Sequence, residues 1–122
     1  MTDQTDEFDL SELYAYGLSL PEAHTKSPWE GHSDLAVRDK TFAFISIWEG
    51  VLRVSCKLVE TADVALTFPF VSRTGYGLGK SGWVTGSIQA GEAIPVQMFK
   101  AWMLESYKAR APKKLVALLP VE

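Results

Sequence analysis

A glycine-rich run at residues 75–84, GYGLGKSGWV, holds the residues whose types and spacing could bind a phosphate. The glycines at positions 77, 79 and 82 match the dinucleotide-binding pattern G-x-G-x-x-G. The Gly-Lys-Ser sequence at 79–81 is similar to the end of a P-loop, and Val84 completes the glycine-rich pattern of protein kinases. A genuine match to any of the three would make this chain a nucleotide-binding protein.

All three nucleotide-binding patterns fail on their context. A P-loop would need a glycine where Thr74 stands, and both the P-loop and the dinucleotide pattern need a helix directly after the glycines. The residues after Gly82 are strand-like and interrupted by Gly86. The kinase pattern needs further catalytic and magnesium-binding motifs, which the residues after Val84 do not contain. We therefore predict a glycine-rich loop between two antiparallel strands and no nucleotide cofactor.

The same loop offers basic and aromatic side chains that suit a nucleic acid. Lysine and arginine neutralise phosphates, and an exposed Tyr76 or Trp83 could stack on an unpaired base. A simpler interpretation also stays open, in which the glycines supply positive φ angles and Lys80 is merely solvated. The candidate nucleic-acid-binding residues are Arg53, Lys57, Arg73, Tyr76, Lys80 and Trp83.

Other reactive side chains form no recognisable constellation. His24 and His32 flank a proline at a spacing that matches no metal template, and Cys56 is the only cysteine. Cys56 lies in a strand-like pattern, where a lone cysteine is usually a small core residue. Trp29 and His32, together with Trp83, could instead line a pocket for a small molecule. We predict no catalytic residue, no bound metal, no cofactor and no enzymatic activity.

Composition predicts one globular domain. The chain has 122 residues and a net charge of −3, but residues 1–34 carry eight acids against one base. The apolar runs are far shorter than the roughly 20 residues of a membrane span. The polar, acidic amino terminus lacks the apolar stretch of a secretory signal, and a lone cysteine fits a reducing compartment. We expect a cytoplasmic monomer without membrane contact.

Hydrophobic periodicity and turn residues predict an α+β domain with one antiparallel sheet of about five strands, backed by helices. The expected order is α-β-β-β-α-β-β-α over residues 9–119, after a flexible acidic segment at residues 1–8. Asp9 is the predicted N-cap of the first helix, Glu49-Gly50 a tight hairpin turn, and Pro95 the first residue of the last long helix. Residues 23–32 are predicted to be irregular. The predicted strands are 35–38, 41–48, 51–58, 71–76 and 83–88, and a short helix is predicted at 60–68.

Several segments, in this order and spacing, resemble the MmcQ/YjbR-like family over about residues 9–119. They are Leu20-Pro21-Glu22-Ala23, Ser27 to His32, Lys40 to Phe44, Leu52 to Lys57, Tyr76 to Val84, Glu105-Ser106-Tyr107 and Ala111 to Leu115.

The resemblance implies an α+β fold and a DNA-binding-like "double wing" of strands, with no catalytic residue to transfer. The family pattern falls on Lys57, Tyr76, Lys80 and Trp83, with Pro28, Trp29 and Lys40 upstream. We therefore expect a non-enzymatic protein that binds nucleic acid through basic strands and loops. The alternatives are an adaptor that binds a protein partner through aromatic residues around Trp29 and Trp48, and a small-molecule-binding protein.

Overall fold

The computed structural model describes residues 2–26, 33–75 and 78–119, with side chains from Leu10 onward. The chain begins with a helix, continues through four strands, a short helix and two further strands, and ends in two helices. The elements are α1 (Thr2–Leu18), β1 (Ala23–Lys26), β2 (Asp34–Val37), β3 (Lys40–Trp48), β4 (Val51–Lys57), α2 (Ala62–Ala65), β5 (Val71–Arg73), a 3₁₀ turn (Leu78–Ser81), β6 (Trp83–Ile88), α3 (Val96–Arg110) and α4 (Lys113–Val116).

The described strands form one antiparallel sheet in the order β1-β2-β3-β4-β6-β5. The predicted α+β class and the single antiparallel sheet are therefore confirmed. The strand count is six instead of about five, because Ala23–Lys26 pairs with β2 from Ala23↔Val37 to Lys26↔Asp34. The expectation of an irregular chain was wrong at these four residues. An exposed edge strand needs no apolar alternation, so its sequence, AHTK, gives no strand signal.

Two helix starts differ from the prediction. Helix α1 begins at Thr2, not at Asp9, because residues 2–8 contain no glycine or proline and their acids suit the positive amino end of a helix. The flexibility predicted for residues 1–8 stays a prediction. Helix α3 begins at Val96, one residue later than predicted, because Pro95 is its N-cap and not its first helical residue.

The turn between β3 and β4 is the predicted tight hairpin. Trp48 pairs directly with Val51, which leaves Glu49 and Gly50 as the two loop residues. Their φ angles are 51° and 80°, both in the left-handed region that two-residue hairpin loops require.

Helices α1 and α3 pack on one face of the sheet, which we call the helix face. Pairing places Ala43, Cys56 and Val84 in one row of this face. In the next row a Cβ on Gly86 would lie only 2.9 Å from the Phe99 ring of α3, so the absence of a side chain lets the helix approach. The core is continuous, and its largest fully buried side chains are Tyr107, Phe42, Phe99, Leu13, Leu35, Ile45, Leu58 and Met103.

A bulge rotates Phe42 toward the helices. Leu35 pairs with Ala43 and Ala36 pairs with Thr41, so Phe42 has no partner on β2. The extra residue changes the alternation, and both Phe42 and Ala43 are buried. The Phe42 ring meets the Tyr107 ring edge-on, with centroids 5.4 Å apart.

The hydroxyl of Ser106 joins α3 to the sheet. Its Oγ donates a hydrogen bond to the Phe42 carbonyl oxygen (2.6 Å) and accepts one from the Lys57 amide (2.9 Å). Phe42 and Lys57 stand one step beyond Ala43↔Cys56, the last pair between β3 and β4. The serine therefore satisfies two backbone groups at the point where the ladder opens.

The neighbours of Ser106 in α3 hold two further segments. The Glu105 carboxylate accepts hydrogen bonds from the backbone amides of Glu60 (2.6 Å) and Thr61 (3.1 Å) and from the Thr61 hydroxyl (2.7 Å). The Tyr107 hydroxyl donates to the Pro21 carbonyl oxygen at 2.8 Å. Burial is the main cause that raises the pKa of Tyr107, so this hydroxyl stays protonated well above neutral pH.

We predict that Ser106→Ala lowers the free energy of unfolding by about 2 kcal/mol or more, because two backbone groups lose their partner in the interior. Urea unfolding measures the change. Ser72→Ala is the matched control, since Ser72 is exposed on β5 and should cost less than about 0.5 kcal/mol. Equal losses in the two variants would contradict the bridging role of Ser106.

Candidate nucleic-acid interface

The face of the sheet opposite the helices carries the first part of the predicted site. Its residues alternate along β3, β4 and β6 with the buried residues of the helix face, and register brings them side by side. We call this the outer face. It consists of Phe44, Ser46, Trp48, Val51, Arg53, Ser55, Lys57, Trp83, Thr85 and Ser87.

Arg53 and Lys57 are the basic residues of the outer face. They lie four residues apart on β4, a separation of about 13 Å at about 3.3 Å per residue. Arg53 is exposed and stands between Ser46 and Ser87, and Lys57 stands opposite Trp83. Neither side chain forms an ion pair within the described part of the chain. Both charges are therefore available to a ligand.

Hydroxyl groups fill the centre of the outer face. Ser55 and Thr85 share a hydrogen bond of 2.7 Å, and Thr85 shares another of 2.9 Å with Thr74 beyond the end of β5. These hydroxyls satisfy one another, so the centre is polar without a net charge. Ser55 lies between Arg53 and Lys57 and is only 7% exposed, so it is part of the packed sheet and not a free contact group.

The two described tryptophans of the outer face have opposite environments. Trp83 is only 3% exposed; its ring packs against Phe44, with centroids 5.2 Å apart, and lies 5.7 Å from the Arg110 guanidinium carbon. The predicted stacking role does not fit this packed ring, which anchors the start of β6 instead. Trp48, by contrast, is 66% exposed beside the hairpin turn. Trp48 was absent from the predicted nucleic-acid set, although its position before a two-residue turn was a signal of exposure.

Arg73 and Lys80 lie at a different place. Arg73 pairs with Val84, so alternation turns it away from the outer face, and Lys80 lies in the 3₁₀ turn before β6. Both line a cleft of about 420 Å³ together with residues 58–63. The structure thus separates the four predicted bases into two pairs. Tyr76 lies outside the described residues. Of the pocket predicted from Trp29, His32 and Trp83, only Trp83 lies among them.

The glycine-rich loop is the predicted connection between antiparallel strands, because β5 pairs with β6 on either side of it. A backbone hydrogen bond from the Thr74 amide to the Trp83 carbonyl oxygen (3.1 Å) holds its base. The 3₁₀ turn at Leu78–Ser81 was not predicted, but the strand predicted after Gly82 is present. Gly82 has φ +93°, and a Cβ there would lie 2.8 Å from the Leu58 carbonyl oxygen. The positive φ and the close Leu58 backbone together explain why residue 82 is a glycine.

The exposed charged side chains of the described strands are all positive. Among the strands of the described chain the only acid is Asp34, which is buried and accepts a hydrogen bond from the Ile45 amide at 2.9 Å. The other acids of the described residues lie in helices, turns and connections, so the exposed charges of the described strands are positive although the chain is negative overall. The basic strand residues are Lys26, Lys40, Arg53, Lys57 and Arg73.

A comparison with known families identifies the fold. The model of the YjbR family matches residues 18–109, from the last residue of α1 almost to the end of α3. The chain belongs to the YjbR family. The predicted membership is confirmed, and the DUF419-domain protein DR2400 of Deinococcus radiodurans has a similar crystal structure. The TM-score is 0.65 at 21% identity, over 82% of this chain and 76% of that chain. No protein with a curated description matches the sequence.

Family membership gives the segment 105–107 a structural meaning. These residues contributed to the resemblance, and in this YjbR protein each forms a hydrogen bond to a different part of the fold. The segment thus joins three parts of the fold to helix α3.

Arg110 is a basic residue that the sequence did not single out. Its Nε donates to the Thr41 carbonyl oxygen at 3.1 Å, and its guanidinium lies over Trp83. Beside it, a cleft of about 330 Å³ is also lined by Arg38 and Lys40. Arg38 is already paired with Glu22, at 2.6 Å. Arg110 and Lys40 therefore add positive charge at this end of the sheet, where the acid Asp39 lines the same cleft.

Reactive and metal-binding groups form no site in the part of the chain that the structure describes. No group of three or more histidine, cysteine, aspartate or glutamate side chains there could hold a metal ion. Cys56 is fully buried on the helix face, and this burial strongly raises the pKa of its thiol. Among the described residues, no helix is long and apolar enough to cross a membrane.

We predict that Gly82→Ala lowers the free energy of unfolding by about 2 kcal/mol, because alanine at positive φ is strained and its Cβ meets the Leu58 carbonyl. Gly75→Ala is the matched control in the same loop, since no atom lies within 4 Å of the added Cβ. Urea unfolding compares the two variants. A Gly82→Ala variant as stable as Gly75→Ala would refute this account of the loop.

We predict that the Cys56 thiol of the folded protein reacts with a disulfide reagent at pH 8 at least about 100-fold more slowly than in urea, because only the thiolate attacks. The raised pKa also sets a pH dependence. Unfolded chains lose the thiol proton above about pH 8.5 and folded chains keep it, so this group's contribution to stability falls as pH rises further. Rapid labelling without denaturant would contradict the prediction.

Proposed function

We propose that the outer face binds single-stranded nucleic acid without catalysing a reaction. The observation that carries this proposal is the absence of any exposed acid from the described strands, whose exposed charges are all positive. A polyanion approaching the sheet is attracted at short range even though the chain has a net charge of −3.

The proposed contacts follow the register of the sheet. Arg53 and Lys57 contact two different phosphates, since about 13 Å separates their positions on β4. The hydroxyls of Ser46 and Ser87, which flank Arg53 and are half-buried, donate hydrogen bonds to sugar or phosphate oxygens. Trp48 lies opposite Val51, one outer-face position beyond Arg53, where its exposed ring can stack on a base.

Single strands fit this surface better than a duplex. Stacking on Trp48 needs a base whose flat surface is free, and in a duplex the neighbouring base pairs cover that surface. The long helix α3 packs on the helix face through Phe99, Trp102, Met103 and Tyr107, so those residues are not available for groove binding.

The absence of catalysis is also part of the proposal. The outer face, as defined above, contains no aspartate, glutamate, histidine or cysteine that could act as a general acid, a base or an activated nucleophile. Its Ser55 and Thr85 hydroxyls hydrogen-bond to each other instead of to a base.

A protein partner is the second candidate function. Ile47 and Trp48 are 47% and 66% exposed at the hairpin, on opposite faces of the sheet, and exposed aromatic residues often anchor protein interfaces. Such an interface would depend on Trp48 but only weakly on Arg53, Lys57 and salt. The same experiment can therefore separate the two functions.

The test is a salt titration of binding to a fluorescent oligothymidylate, followed by anisotropy. Each phosphate contact on a single strand contributes about 0.7 to the slope of log K against log salt. We predict that Arg53→Ala with Lys57→Ala reduces the slope by about 1.4, because two contacts are lost. Arg73→Ala with Lys80→Ala removes the same charge away from the outer face and should change the slope by less than half as much.

A third variant, Trp48→Ala, should weaken binding by about 1–3 kcal/mol while leaving the salt slope nearly unchanged, because stacking releases no counterion. No binding at low salt, or equal slope changes in the two basic double variants, would refute the proposal. Loss of a protein partner on Trp48→Ala, without any oligonucleotide binding, would favour the adaptor function.

A further inference from the structure

A second site is indicated by the cleft that Arg73 and Lys80 share, which we call the charged cleft. It has a volume of about 420 Å³ and lies between the segment at residues 58–63 and the connection from β5 to β6. This volume lies within the range of small-molecule sites, about 300–1,000 Å³. The cleft lies away from the outer face, so its function is independent of the nucleic-acid proposal.

The two walls of the charged cleft are fixed by hydrogen bonds. The Leu58 amide donates to the Gly82 carbonyl oxygen at 2.9 Å, which joins the walls at the base of the cleft. The Glu105 carboxylate holds the backbone of Glu60 and Thr61 from the side of α3. A ligand would therefore meet a preformed cleft, and little ordering would be needed on binding.

The walls carry opposite charges that do not meet. Glu60 and Asp63 come from one wall, and Arg73 and Lys80 come from the other. Within the described part of the chain, none of these four side chains forms an ion pair closer than 4 Å. Charges of both signs thus line one cleft while remaining unpaired, which is the arrangement that a ligand with two opposite charges would complete.

Apolar side chains lie between the charged groups. Leu58, Val59 and Ala62 also line the cleft, and Val59 is 59% exposed although it is apolar. A short aliphatic chain would cover this surface and hold its two charged ends apart.

We propose that the charged cleft binds a small zwitterion with an aliphatic spacer. Its carboxylate or phosphate contacts Arg73 and Lys80, and its ammonium group contacts Glu60 and Asp63. The backbone amides near Ser81 and Gly82 lie beside the anionic end. Free ω-amino acids and a lysine side chain of a peptide near its carboxyl end share this chemistry.

The test uses three probes of similar length: 6-aminohexanoate, hexanoate and hexylamine. Nitrogen–proton correlation spectra of the labelled full chain report where each probe binds. We expect 6-aminohexanoate to shift the amides of residues 58–63, 73 and 80–82. Hexanoate and hexylamine should each bind at least about threefold more weakly, because each lacks one exposed ion pair, whose contribution is modest.

Two charge-neutral variants assign the ends of the ligand. Glu60→Gln with Asp63→Asn should remove the advantage of 6-aminohexanoate over hexanoate while hexanoate still binds. Arg73→Gln with Lys80→Gln should remove its advantage over hexylamine. Arg53→Gln with Lys57→Gln, on the outer face, is the control and should change neither ratio.

Peptides that contain lysine near a free carboxyl end are a fourth probe. Tighter binding of these peptides than of 6-aminohexanoate, at the same amides, would identify a peptide as the ligand.

The proposal is overturned if no probe shifts the cleft amides, if the three probes bind equally, or if the control variant alters the ratios as much as the cleft variants. Oligonucleotide binding is measured separately, so failure of this proposal leaves the outer-face proposal intact, and the reverse also holds.

Discussion

The hydrogen bonds of Ser106 and its two neighbours hold the domain together. In three consecutive residues, α3 binds the connection after β4, the opening between β3 and β4, and the connection between α1 and β1. When a buried backbone group loses such a partner, the free energy of unfolding falls by an amount that is large relative to the small net stability of a domain. The Lys57 end of the outer face and one wall of the charged cleft depend on this arrangement, because it fixes the Lys57 amide and the backbone of Glu60 and Thr61.

Alternation along the strands separates two kinds of surface. Positions that face the helices are mostly apolar and form one continuous core, whereas the outer-face positions of the same strands combine hydroxyl and basic side chains with Phe44, Trp48, Val51 and Trp83. Arg73 is an exception, because it lies in a helix-face row of β5 at the margin of the sheet; it is exposed there beside the acids of the charged cleft and not beside Lys57. Lys57 and Arg73 therefore have different neighbours because their rows belong to opposite faces of the sheet, and in our proposals they contact different ligands.

The sequence predicted most of the fold because its signals were local. The Glu49-Gly50 turn and the apolar strands need only neighbouring residues for their interpretation. It could not predict β1, since an exposed edge strand has no apolar alternation, or the burial of Trp83, which depends on Phe44 and Arg110 from distant positions. The division of Arg53, Lys57, Arg73 and Lys80 into two pairs also required the register between strands.

The short strand β1 has a consequence for how these molecules behave together at high concentration. It forms one margin of the sheet, is four residues long, and carries His24 and Lys26. At the other margin β5 has only three residues and includes Arg73. A strand from a second molecule would gain few backbone hydrogen bonds at either margin and would bring two positive sheets together. The same positive charge that would attract a polyanion thus also discourages the sheets from joining into fibres.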